Sequence, residues 1–144
     1  MLHRIIYHSV RQPGLTDADV VDGIVLPTLS KNRSLEVTGC IWVGRKRFVQ
    51  VLEGDEETLR SLYDTICHDT RHHDIITVAD GPLETRDFVR FAMKHIKGDD
   101  TDEIRALIDQ FSPVIPSDRA DEAEPKQKRG ISQLIRLMMA RSAV

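Results

Sequence analysis

At 144 residues the chain has room for one well-cored domain and an appendage, but not for two independent enzymatic domains. A hydrophobic share of 40% and a charged share of 30% are ordinary for a soluble globular protein, and 20 Lys+Arg against 23 Asp+Glu, a formal net charge of -3, give no electrostatic reason to expect a nucleic-acid partner. No apolar run approaches a membrane span and the opening MLHRIIYHSV lacks a signal-peptide pattern, so no stable membrane insertion is expected and the expected location is cytoplasmic. Cys40 and Cys67 are too few and too far apart for a disulfide scaffold or a zinc knuckle.

Residues 2 to 10 alternate as a first strand, with Ile5 and Tyr7 on one face and Arg4, Ile6 and His8 on the other. Gln12, Pro13 and Gly14 break it, and Thr16 is a good N-cap, with Asp17 and Asp19 placing negative charge where the helix dipole favours it. A helix is predicted to about Lys31, with Pro27 imposing a kink or a new turn because it removes a backbone donor. Val37 to Val43 and Arg47 to Glu53 read as a hairpin closed by Gly44 to Lys46. Gly54 and Asp55 then cap a second helix, whose Leu59, Leu62, Tyr63 and Ile66 give the clearest amphipathic stripe in the chain. Ile75 to Asp80 is a fourth strand and Phe88 to Ile96 a fifth.

The order β-α-β-β-α-β-β predicts an α+β, ferredoxin-like sandwich: a five-stranded mixed sheet with two helices on one face, plus C-terminal helices. The domain reading is 1–97 for this unit and 98–144 for a helical extension. That extension is read as a helix at about 102–111, a flexible linker at about 117–128, and a helix at about 130–141. The last helix is rich in Leu, Ile and Met and flanked by Lys126, Lys128, Arg129, Arg136 and Arg141. Its apolar face suits the chain's own uncovered sheet face or a second copy ahead of a membrane surface, which makes a homo-oligomer an expectation.

Little conventional chemistry is legible. There is no G-x-S-x-G, no Walker A loop and no G-x-G-x-x-G. Cys67, His68, Asp69, His72 and His73 resemble metal-ligand material, but no complementary pair stands at suitable spacing elsewhere, and no metal site is assigned. Arg11 with Gly14 is a thin match for the anion loop of an acylphosphatase-type small hydrolase, the alternative function this topology can host. Gln50 is more informative. It shares a strand face with Phe48 and Leu52, so a primary amide lies in an apolar row, where unpaired it would cost about 1 to 3 kcal/mol. It needs a polar partner from the protein or a ligand. Tyr7, Asn32, Gln50 and Met93, each with a bland structural reading alone, would together line a slot between sheet and helices.

With IIYHS in the first strand, KN, VTG and FVQVLEG in the middle, I-x-x-D-x-RH at residues 66 to 72 and RDFVRFAM at residues 86 to 93, residues 1 to 97 resemble a BLUF domain, the flavin-binding blue-light sensor module. The resemblance implies a non-covalently bound flavin, FAD by family usage, with FMN or riboflavin possible. It implies that Tyr7 is the redox-active phenol, that Gln50 bridges Tyr7 and the N5/O4 edge of the ring, and that Asn32 binds the carbonyl and N3 side. Ile24 and Ile66 would clamp the ring, Thr28, Lys31, Arg71 and His72 would surround the ribityl, phosphate or ring-edge region, and Met93 would belong to the switching environment. Rotation or tautomerisation of the Gln50 amide exchanges a donor for an acceptor, and added hydrogen bonding to a flavin carbonyl would shift absorption to the red. Phe91 stands where the family often carries Trp, from which Met93 is expected near the flavin in both states. The resulting expectation is a short light sensor without catalytic activity, signalling through its tail or an unidentified downstream protein partner.

Overall fold

The computed structural model describes residues 1–90, 92–99, 101–114 and 125–142. Five strands form one sheet in the order β4-β1-β3-β2-β5, with β1 at Leu2–Arg11, β2 at Thr38–Val43, β3 at Arg47–Asp55, β4 at His72–Pro82 and β5 at Lys94–Lys97. β1 lies antiparallel to both β3 and β4, β2 lies antiparallel to β3, and β5 joins β2 in parallel, so the sheet is mixed as expected. Strand alternation divides its side chains between two cores. Ile5, Tyr7, Ile41, Phe48 and Leu52 face one cluster with Val20, Val25, Leu59 and Leu62 from the helices. Ile6, Cys40, Trp42, Val49 and Val51 face the other, which is closed by Ile104, Ile108, Ile131, Leu134 and Met138 of the C-terminal helices α4 (Glu103–Ile108) and α5 (Pro125–Ser142). The apolar face of α5, on which the expectation of self-association rested, is spent on the chain's own sheet.

The first helical stretch is broken in three: α1 at Asp17–Val20, a π-helical turn at Val21–Val25, and α2 at Leu26–Ser34. Thr16 forms the expected cap, accepting from the Asp19 backbone N–H at 3.1 Å while the Asp19 side chain accepts from the Thr16 N–H at 3.0 Å. Pro27 lies in the first turn of α2, where a missing N–H is tolerated. The carbonyl it would have bonded in a continuous α-helix, that of Gly23, accepts instead from Arg71 Nη1 at 2.5 Å. At the other end of α2, Glu36 takes a left-handed backbone with φ 56, and the Val37 N–H bonds the Asn32 carbonyl at 2.9 Å. This tight reversal fixes Asn32 at the helix end, and it delays β2 to Thr38, one residue later than predicted.

Two further expectations need correction. The fifth strand covers only Lys94–Lys97, not 88–96, because the backbone N–H groups of Asp87 and Phe88 are captured by the Glu53 carboxylate rather than by a ladder. Asp55, as expected, is the N-cap residue of α3 (Glu56–Cys67), with extended backbone, and its carboxylate also accepts from the N-terminal amine at 3.0 Å. Helix α5 starts at Pro125, inside the predicted linker, whose residues 117–124 lie outside the described residues. Its far end is tied to the sheet through Asp102. That carboxylate caps α4 at the Ile104 N–H (3.0 Å), accepts from Trp42 Nε1 (3.0 Å) and pairs with Arg141, which also donates to the Lys97 carbonyl at 2.8 Å.

Candidate functional site

Between the sheet and the α2/α3 layer lies a slot of about 210 Å³, with walls that include Ile24, Ile41, Phe48, Leu52, Leu62 and Ile66. Its polar groups come from separate elements. Tyr7 and Gln50 are direct cross-strand partners of β1 and β3, so their side chains emerge on the same face as neighbours. The Tyr7 hydroxyl donates to Gln50 Oε1, and Gln50 Nε2 donates to Met93 Sδ at 3.5 Å. Asn32 is fully buried, and its Nδ2 donates to the Ala92 carbonyl at 3.1 Å. Its Oδ1 has no partner. An orphaned buried acceptor costs about 1 to 3 kcal/mol, and this one is free to receive an N–H.

Of the ten residues predicted to form the site, nine line this slot: Tyr7, Ile24, Thr28, Lys31, Asn32, Gln50, Ile66, Arg71 and His72. Met93 is buried and joins through Gln50. Two of the polar members have obligations within the protein. Arg71 grips Asp69, with Nη2 at 2.6 Å and Nε at 3.0 Å, besides the Gly23 carbonyl, and holds the Asp69 carboxyl below the usual carboxylate range. His72 Nε2 donates to the Ile66 carbonyl at 2.7 Å, and Nδ1 lies 2.7 Å from the Ser9 hydroxyl. Phe91, on which the expectation about Met93 turned, lies outside the described residues.

Tyr63, read from the sequence only as part of an apolar stripe, lies behind Tyr7 rather than in the lining of the slot. Its ring centroid is 5.4 Å from that of Tyr7 and its hydroxyl is 2.6 Å from Thr77 Oγ1. Nothing in the local sequence distinguishes it from a core residue. The cluster around Cys67 disperses: His68 contacts the Asp64 carbonyl, Asp69 is taken by Arg71, and His73 lies beside Asp74. Among the described residues no group of three or more metal-ligating side chains converges. Arg11, the candidate anion-binding arginine, is buried and donates to the carbonyls of Gly44 at 2.9 Å and Leu15 at 2.7 Å.

Burial drives the Tyr7 hydroxyl far above the ordinary phenol range, and it pushes Tyr63 up to about 12. Both phenols are therefore neutral at physiological pH, and the Tyr7 hydroxyl is a donor. The unfolded tyrosines ionise near pH 10 while the folded ones hold their protons, so the unfolded state binds fewer protons and stability falls as pH rises above about 10. Urea unfolding at about pH 9 and about pH 11 is expected to show this loss, at up to about 1.4 kcal/mol per pH unit for each tyrosine. Tyr7→Phe should remove its share of the slope; an unchanged slope would contradict the burial assigned to the phenol.

The fold and the slot define an α+β sandwich protein with a partly polar slot between its sheet and its helical layer. A family profile described as "BLUF: Sensors of blue-light using FAD" matches residues 2–94, and the chain belongs to this family. The chain resembles the solved structure "BlrB - a BLUF protein, dark state structure" at 26% identity and TM-score 0.72, covering 96% of each chain. It also resembles Klebsiella pneumoniae BlrP1 with FMN and cyclic diGMP, at 29% identity and TM-score 0.65 over 94% of this chain and 35% of that one. Among curated proteins, a 64-residue stretch is 33% identical to the blue light- and temperature-regulated antirepressor BluF of Escherichia coli, covering 44% of this chain and 16% of the relative. A 94-residue stretch is 30% identical to the photoactivated adenylate cyclase subunit alpha of Euglena gracilis, covering 65% of this chain. That stretch spans 9% of the cyclase subunit, so the match concerns the sensor module alone. The module is a flavin-binding blue-light sensor, with FAD its family ligand. No helix among the described residues is long and apolar enough to cross a membrane.

The residues present fit a flavin. A planar ring with imide N–H and carbonyl groups on its edges finds the free Oδ1 of Asn32, the Gln50 amide, and apolar walls for its faces.

Proposed function

We propose that Tyr7, Gln50 and Met93 are the photoactive set, that Asn32 accepts from the ring's imide N–H, and that Ile24 and Ile66 pack on the ring. Thr28, Lys31, Arg71 and His72 line its edge or its ribityl and phosphate groups, where hydroxyl and cationic side chains suit a phosphorylated chain. The observation that carries this reading is the hydrogen-bonded pair Tyr7–Gln50 in the same slot as the unpaired Asn32 acceptor. When bound, the flavin supplies blue-light absorption and the capacity to accept an electron.

The chain's own residues supply a two-position switch. The neutral Tyr7 hydroxyl donates to Gln50 Oε1 and thereby sets the amide with Nε2 toward Met93. An amide has a donor end and an acceptor end, so turning it over, or tautomerising it, reverses what it offers to the slot and to Met93 without a new covalent bond. Met93 immediately precedes β5, and the thioether is a weak acceptor that would lose its donor when the amide turns. The change thus reaches the last strand as a shift in population between two hydrogen-bond arrangements.

The reading further assigns residues 1–97 to the sensor and 98–144 to an extension, with output through that extension or through a separate protein and without catalysis by this chain. Purified protein is expected to be yellow and to shift to the red in blue light, and mass spectrometry of the released chromophore distinguishes FAD from FMN and riboflavin. A colourless preparation that turns over an acyl phosphate would support the hydrolase instead. Asn32→Ala removes both the orphan acceptor and the bond to Ala92, and flavin affinity is expected to fall roughly 5- to 150-fold, the equivalent of about 1 to 3 kcal/mol. Equal dissociation constants for the two proteins in a fluorescence titration would remove Asn32 from the binding set.

A further inference from the structure

Glu53 is fully buried on the face of β3 that points away from the slot, three residues beyond Gln50 on the opposite face. Its predecessors on that face, Val49 and Val51, are apolar. A carboxylate in such a row is costly unless it is hydrogen-bonded. Its bonds go to the main chain of a remote segment: Oε1 accepts from the Phe88 N–H at 2.8 Å and Oε2 from the Asp87 N–H at 3.1 Å. Next to it Arg86 donates to the Glu53 carbonyl at 3.0 Å, to Thr38 Oγ1 at 2.9 Å and to the Glu36 carbonyl at 2.9 Å. These bonds join the crossover between β4 and β5 to β3, to the start of β2 and to the turn that ends α2. Only a few residues later the same crossover delivers the Ala92 carbonyl to Asn32 and the Met93 sulfur to Gln50.

We propose that Glu53 is a positioning residue of the photoactive site: its carboxylate pins the crossover backbone at Asp87 and Phe88, and so sets where Ala92 and Met93 meet Asn32 and Gln50. The inference rests on the assignment of Tyr7, Gln50 and Met93 given above. Glu53 and Gln50 are carried by one strand, so the crossover cannot move relative to the amide without stretching the carboxylate bonds. An apolar residue at position 53 would fill the space and leave two backbone donors orphaned. Glutamine would keep one acceptor and lose the other, presenting an NH₂ group to an N–H.

The test uses the full chain with Glu53→Leu, Glu53→Gln and, as a control that destabilises the same face without altering the carboxylate bonds, Leu134→Ala. In flavin-free protein, amide hydrogen exchange at Asp87 and Phe88 is expected to accelerate about tenfold or more in Glu53→Leu, and at one of the two amides in Glu53→Gln. In flavin-loaded protein, the dark-recovery rate after blue light should change in the same order, while Leu134→Ala leaves it near wild type. If Glu53→Leu does not fold, Glu53→Gln carries the comparison. Unchanged exchange at the two amides, or faster exchange with wild-type recovery, would overturn the inference while a normal wild-type light response left the photosensor assignment standing. A wild-type protein that binds flavin without any light-driven shift would overturn both.

Discussion

Replacing Tyr7 with Phe is expected to yield a folded, flavin-loaded protein whose absorption no longer responds to blue light. The substitution removes one oxygen and keeps the ring, which is buried in the helix-side core beside Tyr63. What disappears is the donor that fixes the Gln50 carbonyl. A buried carbonyl without its partner costs about 1 to 3 kcal/mol. The two amide orientations are then no longer separated by Tyr7, and the phenol that would yield an electron and a proton is gone. Gln50→Leu should abolish the response from the other side, because leucine fills the apolar row with Phe48 and Leu52 but has no polar end to exchange. Light-minus-dark difference spectra read both variants; a wild-type red shift in either would end the assignment of this pair.

The second large effect concerns stability. Leu134 and Met138 of α5 are fully buried against Ile6, Trp42, Val49 and Val51. Truncating either to Ala is expected to cost about 2 to 5 kcal/mol, out of the 5 to 15 kcal/mol that holds a typical domain together. Leu134→Asp would bury a charge facing an apolar sheet and should unfold the chain. Deleting residues 125–142 strips Ile131, Leu134 and Met138 from the back face of the sheet and leaves only α4 over it, and aggregation or loss of the cooperative urea transition is expected. The measurement is the urea midpoint together with size-exclusion behaviour. A truncated protein with a wild-type midpoint and monomeric elution would mean that the sheet folds without α5 as cover.

Much of this protein was legible before folding. Periodicity separated Ile5 and Tyr7 from Ile6, marked the α3 stripe, and singled out Gln50 as an amide among apolar neighbours; Thr16 and its acidic followers announced the first helix. Those features are local, since burial preference and capping are properties of a few adjacent residues. The flavin itself came only from resemblance to a family, because no spacing of residues names a ring system.

The tertiary structure decided which partner each polar group takes. The register that sets Tyr7 opposite Gln50 is a contact between residues 43 apart. Residues 88–93 alternate like a strand in sequence, yet the strand begins only at Lys94, because the backbone N–H groups of Asp87 and Phe88 bond the Glu53 carboxylate instead of a neighbouring ladder. The Gly23 carbonyl freed by Pro27 is satisfied by Arg71, for which the family resemblance implied only a place around the ligand. A pattern of apolar residues shows what must be buried, but each hydrogen-bond donor chooses among acceptors that only the folded chain brings within reach.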